Sequence, residues 1–222
     1  MLFKKAGQIS GDEESRPSQP LQVSIGGVTT LPKRYQSGIE EFDRVCGGGL
    51  VPGSVLLVGG DPGIGKSTLL LQVASKLSHN IPCLYVSGEE GVDQVRLRAH
   101  RMQLDASDVL LAASSSVEEI IQALTQKPEL KFLVVDSIQT MATEGLESAP
   151  GSVGQIRAAS FELIKYAKEK GVIIVLVGHV TKEGALAGLH VEEDHVRAGR
   201  RLELERIGRQ RRVDLQVAEA HD

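Results

Sequence analysis

From residue 54 onward, short apolar runs alternate with stretches in which apolar residues recur every three or four positions. Ser54 to Val58 is a wholly apolar strand pattern, and so are Cys83 to Val86, Val109 to Ala112, Phe132 to Val135 and Val172 to Val177. Between them lie helical patterns: Lys66 to Leu77, with Leu69, Leu70, Val73, Ala74 and Leu77 on one side, then Val92 to Met102, Val117 to Thr125 and Gly151 to Lys170. A strand buried on both faces has no polar side, whereas a covering helix is apolar on one stripe. The alternation therefore predicts an α/β fold, a mostly parallel central sheet with helices on both faces.

Upstream, Ile39, Phe42 and Val45 are spaced as on a short helix, with Ser37 as its expected cap. Gly47-Gly48-Gly49 ends that helix and Pro52-Gly53 makes a turn. Residues 1–27 are polar and rich in Gly, Ser, Pro and charge, and are expected to form a flexible tail. The domain is placed at 28–188. Residues 189–222 form a divergent, Arg-rich segment, with six Arg between Arg200 and Arg212. There Leu202 and Leu204, then Val213, Leu215 and Val217, alternate with polar residues, which suits either a two-stranded ribbon around Gly208 or a poorly packed tail.

Composition changes this picture little. The 222 residues are 41% hydrophobic and 24% charged, a globular balance. Aromatics are 3%, so the core must be aliphatic. A net charge of −4 leaves no chain-wide footprint for nucleic acid, and any polyanion site must be local. Two distant cysteines, Cys46 and Cys83, provide no CxxC ligand pair, so no zinc is expected. No membrane-spanning run is present, and reduced thiols fit a cytoplasmic protein.

The chemistry lies in the first strand–loop–helix unit. Gly60-Asp61-Pro62-Gly63-Ile64-Gly65-Lys66-Ser67 matches the phosphate-binding pattern G-x-x-x-x-G-K-[ST], followed by Thr68. Small residues let successive backbone N–H groups face phosphate oxygens, and the helix that follows points its positive end at the same anion. Lys66 is expected to reach the β- and γ-phosphates of ATP, and the Ser67 hydroxyl to hold Mg²⁺. Asp136 closes an apolar strand and is the expected acidic partner of the metal. Ser87-Gly88-Glu89-Glu90 follows another strand. Glu89 is preferred over Glu90 as the base that activates water, with the other acid capping the next helix. His179 follows the fifth strand, where a polar side chain can sense the γ-phosphate.

These residues carry a resemblance. Ser37 to Gly49, the phosphate loop, Ser87 to Glu90, Asp136 to Thr140, Leu146 to Ser152 and Gly178-His179-Val180-Thr181-Lys182-Glu183-Gly184 closely resemble the RecA-like ATPase core of the RadA (Sms) family of bacterial DNA repair proteins, over about residues 34–188. The resemblance implies a RecA-like P-loop NTPase, a DNA-stimulated ATPase that processes branched recombination intermediates. It implies single-stranded or branched DNA and a RecA-type recombinase as partners, and a hexameric ring with ATP between subunits. It implies two DNA-facing loops, one with Gln155 and Arg157 and one with Lys182. The family's four-cysteine zinc finger, its Lys-Asn-Arg-Phe-Gly motif and its Lon-protease-like domain do not occur in these 222 residues. A truncated or altered copy that binds ATP without turnover is the alternative within the family. A small-molecule kinase with the Arg cluster as a lid is the alternative outside it.

Overall fold

The computed structural model describes residues 33–178 in full and the backbone of 197–206 and 209–218. Five parallel strands form the centre: β1 (Val55–Gly59), β2 (Cys83–Ser87), β3 (Leu110–Ala113), β4 (Phe132–Asp136) and β5 (Ile173–Val177). They stand in the order β3-β2-β4-β5-β1. Helices α1 (Glu40–Val45), α2 (Lys66–Ser78), α3 (Val92–Arg101), α4 (Val117–Gln126) and α5 (Val153–Lys170) connect them.

Side-chain alternation sorts the sheet into two faces. Leu56, Val58, Cys83, Tyr85, Phe132, Val134, Ile173 and Val175 pack with Phe42, Leu70, Val73 and Leu77, under α1 and α2. Val55, Leu57, Leu84, Val86, Leu133, Val135, Ile174 and Leu176 pack with Ile120, Leu124, Ile156, Ala159 and Leu163, under α4 and α5. Because every residue of a central strand meets one cluster or the other, the strands read as unbroken apolar runs. Each buried Leu, Ile or Val contributes about 1.5–3 kcal/mol against exposure. The expected mostly parallel α/β architecture is therefore the observed one.

Element ends follow local hydrogen bonding. Ser116 accepts from Glu119 N at 3.2 Å at the start of α4, and Ser152 accepts from Gln155 N at 3.3 Å at the start of α5. Gly171, at φ +67°, ends α5 in the left-handed conformation. The expectation for Ser37 needs correction. The residue before α1 is Ile39, with no side-chain cap. The Asp43 carboxylate instead accepts from Ser37 N at 2.8 Å and Gly38 N at 3.2 Å, while Lys76 of α2 donates to Gly38 O at 2.8 Å. These contacts pin the chain leading into α1 against the helix that follows the phosphate loop.

The Arg-rich segment joins the same sheet. Strands β6 (Arg197–Arg206) and β7 (Arg209–Ala218) pair with each other antiparallel, and β7 pairs antiparallel with β1, from Val55↔Ala218 to Gly59↔Asp214. Of the two readings its alternation allowed, the backbone takes the ribbon. The reason lies in β1, whose second edge would otherwise leave a row of N–H and C=O groups unpaired.

Candidate functional site

The site is assembled where the parallel strands end. The phosphate loop leaves β1, the Ser87–Glu90 turn leaves β2, and Asp136 closes β4; β5 runs between β1 and β4. Crevices outside the carboxyl ends of parallel strands are where α/β sheets bind ligands.

The loop has the backbone that phosphate binding needs. Gly60, Gly63 and Gly65 have φ of +147°, +75° and +104°, and Gly65 leads directly into α2. At φ +147° Gly60 takes a conformation that strains any larger residue, and a Cβ there would also press on the Ile64 Cδ1 methyl at 2.4 Å. Lys66 is 4% exposed, and its Nζ donates to Gly60 O at 2.7 Å and Asp61 O at 2.9 Å. Burial lowers its pKa, and the carboxylates of Asp136, Asp61 and Glu89 oppose that shift. The ammonium is thus desolvated, which strengthens its attraction for an added phosphate, while the nearby carboxylates oppose that attraction unless a cation screens them.

Asp136 is 9% exposed, and its Oδ2 accepts a hydrogen bond from the Tyr85 hydroxyl. Ser137 follows through a cis peptide, and its Oγ donates to Glu89 Oε1 at 2.7 Å. The two neighbouring acids separate here. Glu89 turns toward Ser137 and contributes to the field at Lys66, whereas Glu90 pairs with Arg98 of α3. Neither caps α3. That end is closed by Gln94 Oε1, which accepts from Gly91 N at 3.1 Å. Gly88 keeps the turn close to the segment after β4, since a Cβ there would lie 2.0 Å from Thr140 Oγ1.

The oxygen donors fit Mg²⁺ chemistry. A hydroxyl from Ser67, one remaining oxygen of Asp136 and phosphate oxygens suit a cation that keeps several waters and takes few protein ligands. Among the described residues, no group of three or more His, Cys, Asp or Glu gathers as a protein-only metal cage.

A P-loop, a strand-end carboxylate separated from it by one strand, and an acid beside them define an ATPase-type crevice, and the sequence comparison identifies which kind. The AAA domain family model matches residues 16–185. The chain belongs to the AAA domain family. This AAA domain is 52% identical over 169 residues to the DNA repair protein RadA of Pseudomonas aeruginosa, covering 76% of this chain and 37% of that protein. To RadA of Escherichia coli K12 it is 49% identical over 172 residues, covering 78% and 37%. The chain thus spans well under half the length of the curated relatives it matches. Solved structures share the fold at low identity. A DnaB-like replicative helicase superposes with TM-score 0.56 at 17% identity over 67% of this chain and 43% of that one. A second solved ATPase domain gives 0.55 at 17%, over 67% and 64%. The RadA-type, RecA-like core expected from the motifs is the one found.

One expected DNA contact of this AAA domain is instead structural. Gln155 is 2% exposed, and its amide is fully engaged. Oε1 accepts from Thr143 N at 2.9 Å, while Nε2 donates to Leu146 O at 2.9 Å and Ser148 O at 3.1 Å. It holds the loop before α5 onto the helix, and no polar atom remains for DNA. Arg157, two residues on, is exposed. His179 and Lys182 lie outside the described residues. Gln155→Ala removes the hydrogen bonds of a buried amide, worth about 1–3 kcal/mol in unsatisfied groups. Cleavage after Glu144 and Glu147 by a glutamate-specific protease is then expected to accelerate about tenfold or more, and unchanged cleavage would refute the clamp.

Sequence reasoning missed Tyr85, Ser137 and Arg98. Tyr85 had a readable signal: a phenol inside a wholly apolar strand must find a polar partner. Ser137 and Arg98 had none, since their partners are 48 and 8 residues away in sequence.

Proposed function

We propose that this chain is the ATP-hydrolysing core of a RadA-type DNA repair protein. Water attacks the γ-phosphorus of ATP, its proton passes to a Glu89 oxygen, and the bond to the β–γ bridging oxygen breaks to release ADP and phosphate. Lys66 and the N–H groups of Gly60 to Thr68 hold the phosphates and offset the charge that develops on them. Ser67 and Asp136 hold Mg²⁺, which neutralises phosphate charge when bound. The observation that carries this reading is the gathering of Lys66, Asp136 and Glu89 at one sheet edge, close enough for both carboxylates to act on the buried ammonium.

The likeness to RadA supports the rest of the reading. Hydrolysis is stimulated by single-stranded or branched DNA, in the processing of recombination intermediates in the cytoplasm. Arg157 and Lys182 meet DNA phosphate, and His179 senses the γ-phosphate. The core spans residues 28–188, after a tail at 1–27 and before the 189–222 segment. Ring assembly and a RecA-type recombinase partner follow from the same likeness. No helix among the described residues is long and apolar enough to cross a membrane.

The test is phosphate release measured with and without single-stranded DNA at fixed salt. Release that rises with DNA supports the reading. Nucleotide binding with no release under either condition supports a non-catalytic ATP-binding module instead.

A further inference from the structure

We propose that Tyr85 is a positioning residue for the metal site, fixing how Asp136 presents its carboxylate oxygens. This rests on the reading of Ser67 and Asp136 as Mg²⁺ ligands.

The placement follows from strand parity. Tyr85 pairs in register with Val134, and Ser87 with Asp136. Tyr85, Val134 and Asp136 therefore share the sheet face that packs under α2, the helix that begins at Lys66 and Ser67. The phenol is 0% exposed. A Phe would satisfy that packing with no polar partner, whereas this hydroxyl is buried against Asp136, a candidate metal ligand.

The Tyr85 hydroxyl donates to Asp136 Oδ2. The same phenol occupies one carboxylate oxygen of Asp136 and leaves the other for the cation or its water. It also restrains Asp136 from collapsing onto Lys66, whose ammonium feels that carboxylate.

Arg98 supports the arrangement from α3. Its charge acts on Tyr85, its other contact is Glu90, and its Nη1 is buried without a hydrogen-bond partner. The turn that carries Glu89 and Glu90 is thereby linked to the group that orients Asp136.

The experiment is a binding titration, independent of turnover. A methylanthraniloyl-labelled ATP is titrated by fluorescence anisotropy in EDTA, then at rising MgCl₂, against the wild-type chain, Tyr85→Phe, Asp136→Asn and the double variant. In EDTA, Tyr85→Phe is expected to bind as the wild type does. Its Mg²⁺ midpoint is expected to rise about 10–100-fold, the effect of losing a group that orients a metal ligand. In the Asp136→Asn background the Tyr85→Phe change should move the midpoint no further. An unchanged midpoint in Tyr85→Phe, an equal loss of affinity in EDTA, or a full shift in the Asn background each overturns the proposal. A wild-type affinity indifferent to Mg²⁺ overturns the ligand reading as well. If Tyr85→Phe alone melts below the assay temperature, the double variant decides, because it leaves no charged group without its donor. Its midpoint must then equal that of Asp136→Asn.

Discussion

Lys66→Ala is expected to lower phosphate release by about 10²–10³-fold, the loss that follows removal of one preorganised charge-stabilising group. The effect is large because the ammonium is 4% exposed and therefore acts in a medium of low polarisability. Nucleotide affinity should fall too, since the same group meets the ground-state phosphates. The fold should survive. Burial lowers the pKa of Lys66, so the charged side chain is itself a cost to folding, and its removal relieves that cost. Against this, the Gly60 and Asp61 carbonyls lose their donor. Circular dichroism melting should show a midpoint within a few degrees of wild type, roughly the span of 1 kcal/mol. Wild-type release by the variant would overturn the ATPase reading. A collapsed melt would make the loss one of folding rather than chemistry.

Glu89→Gln is expected to bind ATP normally and to release phosphate about 10²–10⁴-fold more slowly, the range for a lost general base. The substitution is nearly isosteric. The amide oxygen still accepts from Ser137 Oγ, which holds Glu89 Oε1 at 2.7 Å, so the turn keeps its geometry. What is lost is the basicity and the negative charge that acts on Lys66. Glu90→Gln is the comparison. That carboxylate is engaged by Arg98, so its loss should act on α3 and leave single-turnover chemistry far less affected. Normal release by Glu89→Gln, with loss in Glu90→Gln, would move the role to the neighbour. The sequence alone left that choice narrow, and the opposite partners of the two side chains widen it.

Much of the architecture was legible because it obeys short-range rules. The five central strands were visible as apolar runs, and their observed ends differ from the expected ones by about a residue. The larger differences arise at helix ends. The expected start of α5 at Gly151 moved to Val153 because Ser152 caps it. Ser37 was misassigned because Asp43, six residues later, binds back to the Ser37 and Gly38 amides. Gln155 was expected at DNA from the family resemblance, which says nothing of burial.

The amino-acid sequence by itself determined the phosphate loop, the strand–helix alternation and the strand-end position of Asp136, since each depends on residue type and spacing within a few positions. Tertiary structure decided the rest. It set the strand order that puts β5 between β1 and β4, and the pairing of β7 with β1. It also turned Glu89 toward Ser137 and Glu90 toward Arg98, and buried Tyr85 against Asp136. The physical reason is range. Local propensity and periodicity act over one or two turns of chain, whereas a hydrogen bond between residues 51 apart exists only after the strands carrying them have paired.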